Sequence, residues 1–121
     1  MLSLDSHIVV FAIEGKLNAH ERRLLDSDFW SISDVVLWEL GMLSRTGRIR
    51  ITLDDPGLVT MLDRITVWPI TRSIAKAAGR LDFRGDPADE IIAATSLVHD
   101  IPLLTRDARI LASKVVPLAI R

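Results

Sequence analysis

Residues 85–107 carry the reading on which the fold turns: Gly85-Asp86-Pro87-Ala88-Asp89-Glu90-Ile91-Ile92-Ala93-Ala94-Thr95-Ser96-Leu97-Val98-His99-Asp100-Ile101-Pro102-Leu103-Leu104-Thr105-Arg106-Asp107. Asp86 as N-cap, Pro87 at the first helical position and Asp89 in the first turn make a near-ideal helix start. That helix closes near His99-Asp100, and Leu103 to Thr105 follows as a short apolar strand ending just before Asp107. A long helix feeding a buried strand is the repeating unit of a parallel sheet.

The same alternation extends outward in both directions. Met1 to Asp5 reads as a first strand, His7 to Ile13 as a helix closed by Gly15, and Asn18 caps a second helix carrying Leu24 and Leu25. Phe29 to Ile32 is a second strand; Ser33 then caps a helix to about Ser44, stopped by Gly47. Asp55-Pro56 opens a helix through Met61 and Leu62, and Ile65 to Ile70 is a third strand interrupted at Pro69. Thr71 caps a helix to about Leu81, and Val115 to Leu118 is a fifth strand beyond the fourth. The pattern predicts an α/β fold: a central parallel sheet of four or five strands with helices on both faces, one domain over residues 1–121.

Composition narrows the function classes. The chain has 121 residues, 49% of them hydrophobic, and 15 basic against 16 acidic side chains. That balance excludes a disordered tail and a purely electrostatic nucleic-acid arm. With no cysteine there is no disulfide scaffold, cysteine nucleophile or thiolate metal site. The apolar run Ile8 to Ile13 is too short for a signal segment or a membrane span, so the expectation is a soluble cytoplasmic protein. Twelve of the fifteen cations are arginine, whose planar fork suits phosphate.

In open α/β sheets ligands bind beyond the carboxyl ends of the strands, which directs attention to acids placed there. Asp5 ends the first strand and Asp107 lies just past the fourth. Glu39 falls on the inward stripe of its helix, three residues from Val36 among Val36, Leu40 and Leu43. A carboxylate facing inward costs several kcal/mol unless paired, hydrogen-bonded or bound to a metal. Asp89 leads the small apolar face of Ala93 and Leu97, which brings it toward the strand ends; capping accounts better for Asp86 than for Asp89. For each of these acids a cap, turn or buried ion pair is the plain alternative. Were the four to converge, they would need a counter-charge, and oxygen-only ligands select Mg²⁺ or Mn²⁺. Such a cluster can activate water for displacement at phosphorus.

Four segments, in order and spanning residue 2 to about 111, resemble those of PIN-domain ribonucleases, specifically the VapC-type toxins of type II toxin–antitoxin pairs. They are Leu2-Ser3-Leu4-Asp5-Ser6-His7; Ile32 to Leu40 followed by Thr46-Gly47-Arg48-Ile49; Gly85 to Ser96; and Pro102 to Asp107. The resemblance implies a PIN-like three-layer sandwich and maps the family's acids onto Asp5, Glu39, Asp89 and Asp107, with Asp86, Thr105 and Ser6 as auxiliaries. It further implies Mg²⁺- or Mn²⁺-dependent cleavage of RNA, a homodimer, and a cognate antitoxin whose C-terminal segment blocks the acidic groove. Where many relatives carry a basic residue after the third acid, this chain has Glu90, which places substrate affinity in question. Arg106 and Arg109 flank Asp107 and are candidates for the missing phosphate contact, as is Arg48 in the Arg45, Arg48, Arg50 cluster.

Two alternatives come from other classes. A receiver-like phospho-acceptor domain has this length, but wants adjacent acids after the first strand, where Ser6 and His7 stand, and a lysine at the last strand's end, which Lys114 precedes. A PIN-like binding module with weak catalysis is supported by Glu90 alone. His7, His20 and His99 form no ligand spacing, and Trp30, Trp38 and Trp68 are read as core or dimer contacts.

Overall fold

The computed structural model describes residues 1–120. In chain order the elements are β1 (Leu2–Leu4), α1 (Ser6–Glu14), α2 (Ala19–Asp26), β2 (Trp30–Ser33), α3 (Val35–Arg45), α4 (Pro56–Leu62), β3 (Thr66–Trp68), α5 (Arg72–Ala78), α6 (Pro87–His99), β4 (Leu103–Leu104) and α7 (Ala108–Leu111). All strand pairs are parallel, in the order β3-β2-β1-β4. The register sets Ser3 beside both Ser31 and Leu103, and Leu4 beside Leu104. Every residue of β1 and β4 is buried. Since successive strand residues point to opposite faces, these central strands are covered on both sides, as the apolar runs predicted.

This order excludes the receiver-like alternative, which places its first strand between the second and third. Here the chain runs outward from β1 through β2 to β3, then returns to add β4 on the other side of β1. The carboxyl ends of β1 and β4 therefore flank a topological switch point, where two connections diverge and leave a crevice. The core beneath it joins Leu2, Leu4, Ile8, Ile32, Val36, Leu40, Ile92, Leu103 and Leu104.

Local chemistry explains most element ends. Gly15 closes α1 with a left-handed φ of 70°, its N–H donating to the Phe11 carbonyl. Asn18 and Glu21 form a reciprocal capping box on α2. Three boundaries differ from expectation. Ser33 is the last residue of β2 rather than the cap of α3; Asp34 holds the cap position without a side-chain cap bond, although Ser33 Oγ accepts from Val35 N at 3.3 Å. β3 ends at Trp68, because Pro69 has no N–H and the Ile70 N–H donates to Asp34 Oδ2. α5 stops at Ala78, not Leu81.

The expected fifth strand is reduced to one parallel bridge, Leu103 with Leu118. The N–H of Lys114 is taken by Asp82 Oδ2, and those of Val115 and Val116 by Ser113 Oγ. Pro117 has no N–H to offer, so the pairing is held by two bonds alone: Leu103 N donates to the Pro117 carbonyl and Ala119 N to the Leu103 carbonyl, each at 2.9 Å.

Candidate active site

The ends of β1 and β4 meet at Asp5. Its Oδ1 accepts from Ser6 N at 2.8 Å, starting α1, and its Oδ2 accepts from the Thr105 hydroxyl at 2.6 Å. Thr105 Oγ1 in turn accepts from Asp107 N at 3.0 Å, so one hydroxyl links the first and last acids. Asp5 is 5% exposed, and this burial holds its carboxyl above the usual range despite both hydrogen bonds.

Two helices complete the cluster. α3 buries Val36, Leu40 and Leu43, which carries half-buried Glu39 inward as its spacing predicted. α6 buries Ala88, Ile92 and Ala93 and brings Asp89, in its first turn, to the same place. One carboxylate oxygen from each of Asp5, Glu39 and Asp89 lies within 4.8 Å of the others. Asp89 is pushed up to about 7, first by desolvation and then by the negative charges of Asp5, Glu39, Asp107 and Asp86. Three oxygen donors at this spacing fit a hard divalent cation, whose ligand distances of about 2.0–2.6 Å span a similar gap.

The fourth acid stands slightly apart. Asp107 lines the same cavity, of about 700 Å³, but caps α7 through Oδ1, which accepts from Ile110 N at 3.0 Å. Asp86 also lines the cavity. It holds the N-cap position of α6 with extended backbone, as expected, but its side chain makes no cap bond. Ser6 gives Asp5 its N–H, while its buried hydroxyl has no partner among the described residues.

The candidate phosphate contacts divide sharply. Arg106 is committed elsewhere: Nε and Nη2 grip both oxygens of buried Glu21 at 2.8 and 2.7 Å, and its guanidinium lies 4.2 Å from the Phe11 ring centroid. Arg109 donates Nη1 to the Arg84 carbonyl at 2.8 Å and is absent from the cavity lining. Arg106 thus lines the acidic cavity with its guanidinium already engaged by Glu21, while Arg109 lies outside the lining. Arg48 lines the cavity as well, as do Arg50 and Lys16. Glu90 is turned away: Oε2 accepts from Gly85 N at 3.0 Å and Oε1 lies 3.9 Å from Arg84 Nη1. Sequence reasoning missed the Glu21–Arg106 pair and missed Lys16 altogether, although Asn18 was read as the cap of α2.

Comparisons with known proteins agree with this geometry. The PIN domain family model matches residues 2–115. The chain is 30% identical over 113 residues to Ribonuclease VapC22 of Mycobacterium tuberculosis, covering 88% of this chain and 87% of that one. Among solved structures it is similar to VapBC2 from Rickettsia felis bound to a promoter DNA fragment, with TM-score 0.76, 19% identity, and 99% and 98% of the two chains covered. It also resembles FitAcB from Neisseria gonorrhoeae, with TM-score 0.66, 22% identity, and 98% and 96% covered. The match across residues 2–115, with the crevice at the ends of β1 and β4, makes this chain a member of the PIN-domain family.

Proposed function

We propose that this chain, as one PIN domain over residues 1–121, is a Mg²⁺- or Mn²⁺-dependent endoribonuclease and the toxin of a toxin–antitoxin pair. The observation that carries the reading is the convergence of Asp5, Glu39 and Asp89 oxygens within 4.8 Å, at the sheet's switch point. Its 30% identity to a VapC ribonuclease, over most of both chains, supports RNA as the substrate. Likeness to toxin–antitoxin complexes supports a cognate antitoxin as partner.

In this reading Asp5, Glu39 and Asp89 hold the cation, and Thr105 fixes the rotamer of Asp5. A bound divalent cation supplies the positive charge that lowers the pKa of water and offsets charge developing on the phosphate. Asp107, with one oxygen left after capping α7, accepts the proton of the attacking water as the new bond to phosphorus forms and one P–O bond to sugar breaks, the departing sugar oxygen taking a proton from solvent. Asp86 and Ser6 stay auxiliary. Glu90, bonded to Gly85 and absent from the cavity lining, lends little to a non-catalytic module.

The test is cleavage of RNA by the purified chain, freed of antitoxin. Cleavage with Mg²⁺ or Mn²⁺, silence in chelator and loss in Asp5→Asn are expected. Persistent cleavage in chelator would sink the metal-dependent reading.

A further inference from the structure

The cavity over the acidic cluster does not end at the acids. It adjoins a second cavity of about 690 Å³, lined by Glu14, Lys16, Arg50, Ile51, Thr52 and Asp55, and Glu14, Lys16 and Arg50 line both. Together they form one groove that starts between Asp89 and Asp107 and leaves along residues 48–52, the segment joining α3 to α4.

Charge is unevenly distributed along it. Asp5, Glu39, Asp86, Asp89 and Asp107 crowd one end, and Glu14 and Asp55 are the acids farther along. Toward the other stand Arg48 and Arg50, both exposed and neither in an ion pair with any described residue, opposite Lys16, whose Nζ lies 2.9 Å from Glu14 Oε2. Arginines next to a carboxylate-rich site usually find acids; Arg106 does so in Glu21. That Arg48 and Arg50 do not, with seven acids lining the two cavities, leaves two guanidiniums whose forks are open to phosphate.

We propose that Arg48 and Arg50 hold successive backbone phosphates of a single RNA strand on one flank of the scissile bond, so that the strand leaves the acidic cluster along residues 48–52. The assignment rests on the ribonuclease reading above and adds to it a direction and two contact residues. A polyanion entering a groove lined by acids needs cations that are not already neutralised, and among the described Lys and Arg side chains lining the groove these two are the ones without an ion-pair partner. Such contacts position the backbone and carry no sequence information, so they act on affinity and leave the chemical step to the acids.

The experiment compares wild type with Arg48→Gln/Arg50→Gln, using Arg109→Gln as control. Steady-state cleavage of a fluorescent single-stranded RNA is measured across a series of salt concentrations. In parallel, anisotropy of the same RNA is followed with each protein in an Asp5→Asn background, so that binding is read without cleavage. The double variant should raise KM several-fold with kcat nearly unchanged, and its log Kd against log salt should flatten by about 0.7 for each lost phosphate contact. Arg109→Gln should leave the slope as it is. A double variant with unaltered KM and salt slope would overturn the assignment while wild-type cleavage left the nuclease reading intact. A fall in kcat at constant KM would also overturn it, placing the arginines in the chemistry. Absence of cleavage by wild type would count against the nuclease reading, and the anisotropy slopes would still decide the strand path.

Discussion

The Thr105 hydroxyl donates to Asp5 Oδ2 at 2.6 Å, joining residues one hundred positions apart across the parallel pair of β1 and β4. Of the interactions that favour the charged form of Asp5, this bond is the largest, working against burial. Thr105→Val removes it and strands the Asp107 N–H that Thr105 Oγ1 now accepts. The variant should lose about 1–3 kcal/mol of stability, the range for a buried hydrogen bond with an unsatisfied partner. Its Asp5 carboxyl should sit higher still, so Mn²⁺ binding should need a higher pH. Calorimetric titration with Mn²⁺ at several pH values checks this; an unchanged pH profile would remove Thr105 from the tuning of Asp5.

A second relationship makes an asymmetric prediction. The Glu21 side chain is 3% exposed and that of its partner Arg106 is 41% exposed. Arg106→Ala leaves a buried carboxylate without its cation, whereas Glu21→Ala leaves a guanidinium that water can solvate. Arg106→Ala should therefore be the costlier change, toward the lower end of the ~3–5 kcal/mol typical of broken buried pairs. Urea unfolding of both variants measures the difference, and equal losses would argue that the pair is effectively solvated.

The sequence made the fold legible wherever burial and capping agreed. Asp86-Pro87 opened α6, and the stripe of Val36, Leu40 and Leu43 carried Glu39 inward. It misled where a side chain captured a backbone group from afar. Asp82, more than thirty residues upstream, takes the Lys114 N–H and helps prevent a fifth strand; Asp34 takes the Ile70 N–H beyond Pro69. The acidic cluster was readable because strand ends and helix faces follow fixed periods. The fate of each arginine was not, since a long side chain is steered by partners such as Glu21 that adjacency along the chain does not reveal.

Self-association is expected as well. Phe29 and Trp38 are 79% and 62% exposed, large apolar area for one small chain to leave in water. Light scattering at tens of micromolar, an order-of-magnitude choice suited to ordinary dimer affinities, should report twice the chain mass. A monomer at that concentration would refute the homodimer.

The dependence of stability on pH has a definite sign. Asp89 titrates near 7 in the folded protein against an ordinary 3.8, so the metal-free fold binds the extra proton. Its contribution is fully present below 3.8 and is lost as pH rises through about 7. Glu21 is shifted the other way by Arg106; its contribution is present above the ordinary 4.5 and is lost as pH falls below it. In chelator, the melting temperature should therefore decline from about pH 5 to pH 8, and the decline should flatten in Asp89→Asn. A profile that rises across that interval would contradict the crowding of acids around Asp89.

Metal site and helix start can be separated at Asp89 by a crossover experiment. Asp89 lies in the first turn of α6, where an acid complements the dipole, and a carboxylate doing only that should lose about 0.3–1 kcal/mol on Asp89→Asn with or without metal. Within the cluster of Asp5, Glu39 and Asp89, however, removing one charge relieves repulsion among groups whose oxygens lie within 4.8 Å. The variant should then melt at the same temperature as wild type, or higher, in chelator. In Mn²⁺ the order should reverse, because wild type gains about 2.7 kcal/mol at a hundredfold excess over its dissociation constant while the variant, short of one ligand, gains much less. Melts of both proteins in chelator and in Mn²⁺ provide the comparison. Equal metal-induced shifts would leave Asp89 as a helix-start residue and remove it from the site.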